Sequence, residues 1–167
     1  HYFAYGSNLH PMRLSRRVPS SQLVGTAALQ NYSLAFHKIG IDGSAKCDVV
    51  FSSAPDDQVF GALYSIDPAE IPTLDEFEGC GFGYQKASLT VLAGTTSVGA
   101  WAYLAQEDHT DPQLVPFDWY KELVLLGAAF HQFPQRYIDA IELVPATHDP
   151  DPERREREWT NIQTLSQ

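Results

Sequence analysis

The feature that most limits the fold is a series of short, strand-like runs arranged in pairs around turn signals, with helical patterns confined to one insertion and the late part of the chain. Residues 2–5 form a brief apolar run with two aromatics, which reads as a buried strand. Gly6-Ser7-Asn8 ends it with residues that tolerate a tight turn, and residues 12–17 can begin a helix after Pro11. Residues 22–37 alternate loosely through Val24, Leu29, Tyr32, Leu34 and Phe36, which predicts one or two strands. Gly40 and Gly43 mark a turn without a phosphate-binding lysine motif. Residues 46–53 and 58–66 flank Ala54-Pro55-Asp56-Asp57 and predict a hairpin, and residues 82–92 and 97–105 predict a second pair. Asp67-Pro68 predicts a helix start that runs to Gly79, and helical spacing returns at 117–130 and 134–143. Hairpins without a βαβ rhythm give an α+β domain that closes as a mostly antiparallel, barrel-like sheet.

A chain of 167 residues is long enough for one domain that buries about two thirds of its unfolded surface. The organisation expected is one domain over 1–144, with 145–167 as a charged C-terminal tail or a helix packed on it. No apolar run approaches the ~18 residues that span a bilayer, and no secretory leader is read. The formal charge of −10 argues against nucleic acid as a partner, because phosphate binding needs clustered Lys and Arg. Cys47 and Cys80 do not make a disulfide framework, so a reducing, cytoplasmic setting is expected.

Two constellations can carry chemistry. At Tyr5-Gly6-Ser7-Asn8-Leu9 a strand runs into a polar turn, which exposes backbone N–H groups in a concavity suited to a carboxylate or a developing oxyanion. At Leu74-Asp75-Glu76-Phe77-Glu78-Gly79 three carboxylates crowd a helix end, where Asp75 and Glu78 share a face. The unfavourable end of the helix dipole favours a protonated Glu78 slightly. The six histidines (1, 10, 37, 109, 131 and 148) are scattered without metal-ligand spacing, so neither metal nor other cofactor is expected. Ser7 stands outside a G-x-S-x-G elbow, and Cys80 reads as an inert thiol.

The stretch Tyr2-Phe3-Ala4-Tyr5-Gly6-Ser7-Asn8-Leu9 resembles the N-terminal signature of the gamma-glutamylcyclotransferase family, and L-D-E-x-E-G at 74–79 resembles its second signature. The resemblance extends over residues 2–142 and implies a small mixed, mostly antiparallel β-barrel with surrounding helices. It implies that residues 2–9 form a wall of the substrate pocket and that Glu78 is the single catalytic acid/base. Tyr84, Tyr103 and Tyr120 match tyrosines that line the family's pocket. The implied reaction is cyclisation of a γ-glutamyl group to 5-oxoproline with release of an amino acid or amine, with Glu78 moved toward neutral pKa by a partly apolar pocket. The implied partner is a small γ-glutamyl molecule, and a homodimer is left open. Alternatives are a cyclotransferase for γ-glutamylamines or a γ-glutamyl biosynthetic intermediate, and a catalytically silent binding module; retention of Glu78 argues against the last.

Overall fold

The computed structural model describes residues 1–165; Ser166 and Gln167, the end of the expected C-terminal segment, lie outside the described residues. The elements follow in the order β1 (Tyr2–Ala4), α1 (Pro11–Arg17), β2 (Gln22–Gln30), β3 (Tyr32–Ile39), β4 (Ala45–Phe51), β5 (Gln58–Ser65), α2 (Ile71–Glu78), β6 (Tyr84–Ala93) and β7 (Thr96–Ala105). Helices α3 (Asp118–Phe130), α4 (Gln135–Glu142) and α5 (Pro152–Gln163) complete the chain. Five strands close a barrel in the order β1-β5-β2-β6-β7, and β3 with β4 makes a separate two-stranded sheet. Every barrel pair is antiparallel except the closure, where Tyr2 of β1 lies parallel to Trp101 of β7. The expected mostly antiparallel barrel is present, and the parallel contact of β1 with β7 makes it mixed.

One expected pairing is wrong. Residues 46–53 and 58–66 do not form a hairpin with each other; β4 folds back on β3, and β5 lies between β1 and β2. The turn after β3 closes first, with Gly40 N–H on the Ser44 carbonyl at 2.8 Å and Gly43 in the left-handed region at φ 79°. The Pro55 segment instead carries the chain from one sheet to the other. It crosses beside Asn31, whose N–H donates to the Asp57 carbonyl at 2.8 Å and whose carbonyl accepts from Ser52 N–H at 2.8 Å. A turn signal fixes where a strand ends but not which strand it pairs with.

Two further features position the site. Helix α2 follows a 3₁₀ turn capped by the Asp67 side chain and ends at Gly79, a left-handed cap (φ 65°), with Cys80 N–H on the Asp75 carbonyl at 2.9 Å. Helix α3 buries Trp119, Tyr120, Leu123 and Val124 and presents Gly127 to the loop after β1. A Cβ at Gly127 would stand 2.3 Å from Leu9 Cβ, so the loop seats directly on the helix backbone. The Leu9 carbonyl is held there by Tyr64 Oη at 2.6 Å and His131 Nε2 at 2.8 Å.

The charged C-terminal stretch is a helix against α3 rather than a free tail. Ile162 is buried, and Asp149 beneath the helix start is fully covered. Its carboxylate accepts from Arg154 Nε (2.6 Å) and Nη2 (2.5 Å) and from Trp119 Nε1 (2.9 Å). The Arg154 hydrogen bonds hold the carboxyl down at about 2. Arg154→Met should therefore lower stability by about 2 kcal/mol at neutral pH, read by urea unfolding. Because the folded pKa is depressed, the contribution is full above about pH 4 and fades as pH falls toward 2, so the wild-type advantage should shrink across that window. An advantage that stays constant through that window would contradict this assignment.

Candidate active site

The first strand and its turn meet the C-terminal end of α2 at one mouth of the barrel. Tyr2, Tyr5, Gly6, Ser7 and Asn8 line a narrow recess together with Cys47, Glu78, Tyr84, Tyr103 and Tyr120. The recess opens past Ser7, Glu78, Tyr84 and Tyr120 into an outer cleft of about 530 Å³. Phe3, Ala4 and Leu9 are expected in the pocket wall but line neither space: all three are buried in the core, where Phe3 packs over Gly61 and Leu9 against Gly127 of α3.

Glu78 is gripped on one oxygen. Asn8 Nδ2 donates to Glu78 Oε1 at 2.9 Å and Arg17 Nη1 donates to the same oxygen at 3.0 Å. Arg17 Nη1 also donates to Asn8 Oδ1 at 3.1 Å, and Asn8 Nδ2 reaches Tyr2 Oη at 3.2 Å. Among the described residues Glu78 Oε2 has no hydrogen-bond partner, although the side chain is only 15% exposed. One oxygen fixes the carboxylate in place, and Glu78 lines both the recess and the cleft.

The loop beside it supplies donors. Leu9 N–H closes the turn on the Gly6 carbonyl at 3.0 Å, and the amides of Gly6, Ser7 and Asn8 make no hydrogen bond among the described residues. Gly6 lies close under Cys47: a Cβ there would stand 3.1 Å from Cys47 Cβ and 3.5 Å from Tyr120 Oη.

The five tyrosines divide by where their hydroxyl protons go. Tyr5 donates to the Tyr103 carbonyl, Tyr84 to the Cys47 carbonyl at 2.5 Å, and Tyr103 to Asp75 Oδ1 at 2.6 Å. Tyr2 instead accepts from Asn8 Nδ2, which leaves its proton uncommitted, and Tyr120 accepts from Cys47 N–H at 3.0 Å while its hydroxyl also engages the Cys47 thiol. Burial pushes all five hydroxyls above their ordinary pKa, so they are donors at neutral pH. Burial also pushes the Cys47 thiol up to about 12, which keeps it an unreactive wall. Asp75 and Glu78 share a helix face, yet Asp75 is engaged by Tyr103 and by Lys86 at 2.9 Å.

The sequence profile of the family described as gamma-glutamyl cyclotransferase, AIG2-like, matches residues 2–122. The chain belongs to that family. It is 30% identical over 149 residues to a gamma-glutamylcyclotransferase of Mus musculus, covering 86% of this chain and 77% of the relative. Against a Homo sapiens gamma-glutamylcyclotransferase the identity is 28% over 149 residues, with 86% and 77% covered. A solved structure of a gamma-glutamyl cyclotransferase superposes with a TM-score of 0.83 at 24% identity, over 98% of this chain and 97% of that one, and agrees in fold.

The two stretches that resemble the gamma-glutamyl cyclotransferase signatures thus face each other across Asn8 and Glu78. Arg17 was not singled out from sequence as a site residue. The signal was there in a basic helix directly after the turn, but only the packing of α1 beside α2 aims one of its arginines at Glu78. Among the described residues no three His, Cys, Asp or Glu side chains group as metal ligands. Asn8→Ala removes the bond that joins loop, arginine and carboxylate at a buried position. It should cost about 1–3 kcal/mol of stability in denaturant unfolding; a cost below about 0.5 kcal/mol, the range of ordinary surface changes, would show that Asn8 does not hold the loop to α2.

Proposed function

We propose that this chain cyclises a γ-glutamyl group to 5-oxoproline and releases the attached amine, with Glu78 moving the proton. The observation that carries this reading is the asymmetric grip on Glu78: Oε1 is pinned by Asn8 and Arg17, Oε2 has no partner among the described residues, and Glu78 lines one recess with the loop whose three amides are unpartnered. A carboxylate held this way is positioned to take a proton without moving.

In the first step the α-amine of the γ-glutamyl group attacks its own γ-carbonyl carbon, and Glu78 Oε2 accepts the proton that the amine gives up. The carbonyl oxygen becomes an oxyanion, for which the Gly6, Ser7 and Asn8 amides are the nearby donors; losing one such donor typically costs about 3–4 kcal/mol in the transition state. In the second step the carbon–nitrogen bond to the leaving group breaks as Glu78 delivers its proton to the departing nitrogen. The five-membered lactam and a free amine result, and the carboxylate is regenerated. Tyr2, with an uncommitted proton, is suited to hold the substrate's α-carboxylate. The recess has about 20 Å³ of free space, room for roughly one water, so the γ-glutamyl group would lie across its junction with the outer cleft.

The partner in this reading is a small γ-glutamyl molecule. Both cysteines are free thiols, which suits a reducing compartment, and the reading places the reaction in the cytoplasm. No helix among the described residues is long and apolar enough to cross a membrane.

Mass-spectrometric detection of 5-oxoproline from γ-glutamyl dipeptides, γ-glutamylamines and glutathione tests the proposal. At least one class should yield product, and Glu78→Gln should lose about 10²–10⁴-fold or more of the rate while remaining folded. Tyr84→Phe and Tyr103→Phe should lose less, because their protons are given to the protein and not to the substrate. Turnover by Glu78→Gln at the wild-type rate, or no product from any class with folded protein, would refute the mechanism.

A further inference from the structure

The outer cleft is lined by four Lys and Arg side chains, and three of them have carboxylates of their own. Arg17 holds Glu78, Lys46 Nζ donates to Asp42 Oδ2 at 2.7 Å, and Arg13 Nη1 stands 3.9 Å from Glu158. Lys38 has none. It is only 6% exposed, yet among the described residues no carboxylate, carbonyl or hydroxyl accepts from its Nζ. Its Nζ lies over the face of Tyr84, 4.5 Å from the ring centroid.

The surroundings are shaped to this lysine. The β3–β4 register shifts between Phe36 and Lys38, leaving His37 as an extra residue, and a bulge of this kind re-aims the side chain that follows. Gly83 lies opposite: a Cβ there would stand 2.8 Å from Lys38 Cε and 3.0 Å from Nζ. The Lys38 stem therefore occupies the space that a side chain at 83 would fill, and its ammonium ends in the cleft beside Tyr84. Burial lowers its proton affinity, against the attraction of Glu78 and Asp42. A largely covered lysine whose ammonium has no carboxylate in contact gives up hydration without a direct ion-pair partner, and an aromatic face offsets only part of that loss. In a chain with 21 Asp and Glu against 11 Lys and Arg, a vacant partner position beside the acid/base is one that a ligand can complete.

We infer that Lys38 sets the choice of leaving group by receiving a carboxylate carried on the departing amine, so that γ-glutamyl amino acids are preferred over neutral γ-glutamylamines; this rests on the cyclisation reading above. With the γ-glutamyl group at the recess junction, the leaving group extends past Tyr84 into the cleft, where the Lys38 ammonium stands. Arg17 and Lys46 are not equivalent receivers, because each already holds a carboxylate.

The test compares γ-glutamylalanine with γ-glutamylalaninamide, which has the same shape without the carboxylate, by kcat/KM for 5-oxoproline release. The wild type should prefer the acid by about 10- to 100-fold, as expected for a charge-assisted contact. Lys38→Met should bring the ratio near unity, and Lys38→Arg should retain a preference. An unchanged ratio in Lys38→Met, including a parallel fall for both substrates, would overturn the inference. Calorimetric binding of glutarylalanine and glutarylalaninamide, which lack the α-amine and cannot cyclise, separates the two claims. A Lys38-dependent preference for the acid in binding, without turnover of either γ-glutamyl compound, would refute cyclisation and keep the carboxylate site. No preference in either assay would remove the role assigned to Lys38.

Discussion

The Asn8 side chain donates to Glu78 Oε1 at 2.9 Å and accepts from Arg17 Nη1 at 3.1 Å, and through these bonds a loop at the start of the chain is fixed to a helix end 70 residues later. Everything else about the site depends on that junction. The loop can leave three amides unpartnered only because its far end is anchored through the Leu9 carbonyl and its near end by strand β1. The carboxylate can present a free oxygen only because the other one carries both contacts. A side chain with one donor and one acceptor end suits the position, whereas an aspartate there would set a second negative charge against Glu78.

Close approach supports the junction from below. Gly127 lets the loop rest on the backbone of α3, and Gly61 makes room in β5 for Phe3, whose ring would stand 2.4 Å from a Cβ at that position. Phe3 is completely covered there, so the first strand is held by its inward aromatic while Tyr2 and Tyr5 face the recess. The two-stranded sheet supplies the other wall. Asp48 of β4 accepts from Ala105 N–H of β7 at 2.9 Å, which ties that sheet to the barrel and brings Cys47 and Lys38 to the site.

Much of this was legible in the sequence. Apolar runs and turn residues gave strand positions to within a few residues, and Asp67-Pro68 and Gly79 marked the limits of the helical insertion. The pairing of β4 was not legible, since the Pro55 segment looks the same as a hairpin turn and as a crossing between sheets. At the site, Glu78, Asn8 and the tyrosines were legible through motif resemblance. The division of the tyrosines into committed and uncommitted donors was not, because it depends on which carbonyl or carboxylate lies across the barrel. Lys38 left no local signal at all: it stands at the end of a strand, and only the bulge at His37 and the space over Gly83 direct it inward.

The central claim is that the loop amides and the free oxygen of Glu78 face one ligand. The most direct measurement is amide NMR of the ¹⁵N-labelled protein titrated with 5-oxoproline, the product of the proposed reaction. The Gly6, Ser7 and Asn8 amide resonances should shift together and saturate with one dissociation constant. Shifts confined to surfaces away from this loop, or none at saturating ligand, would contradict it.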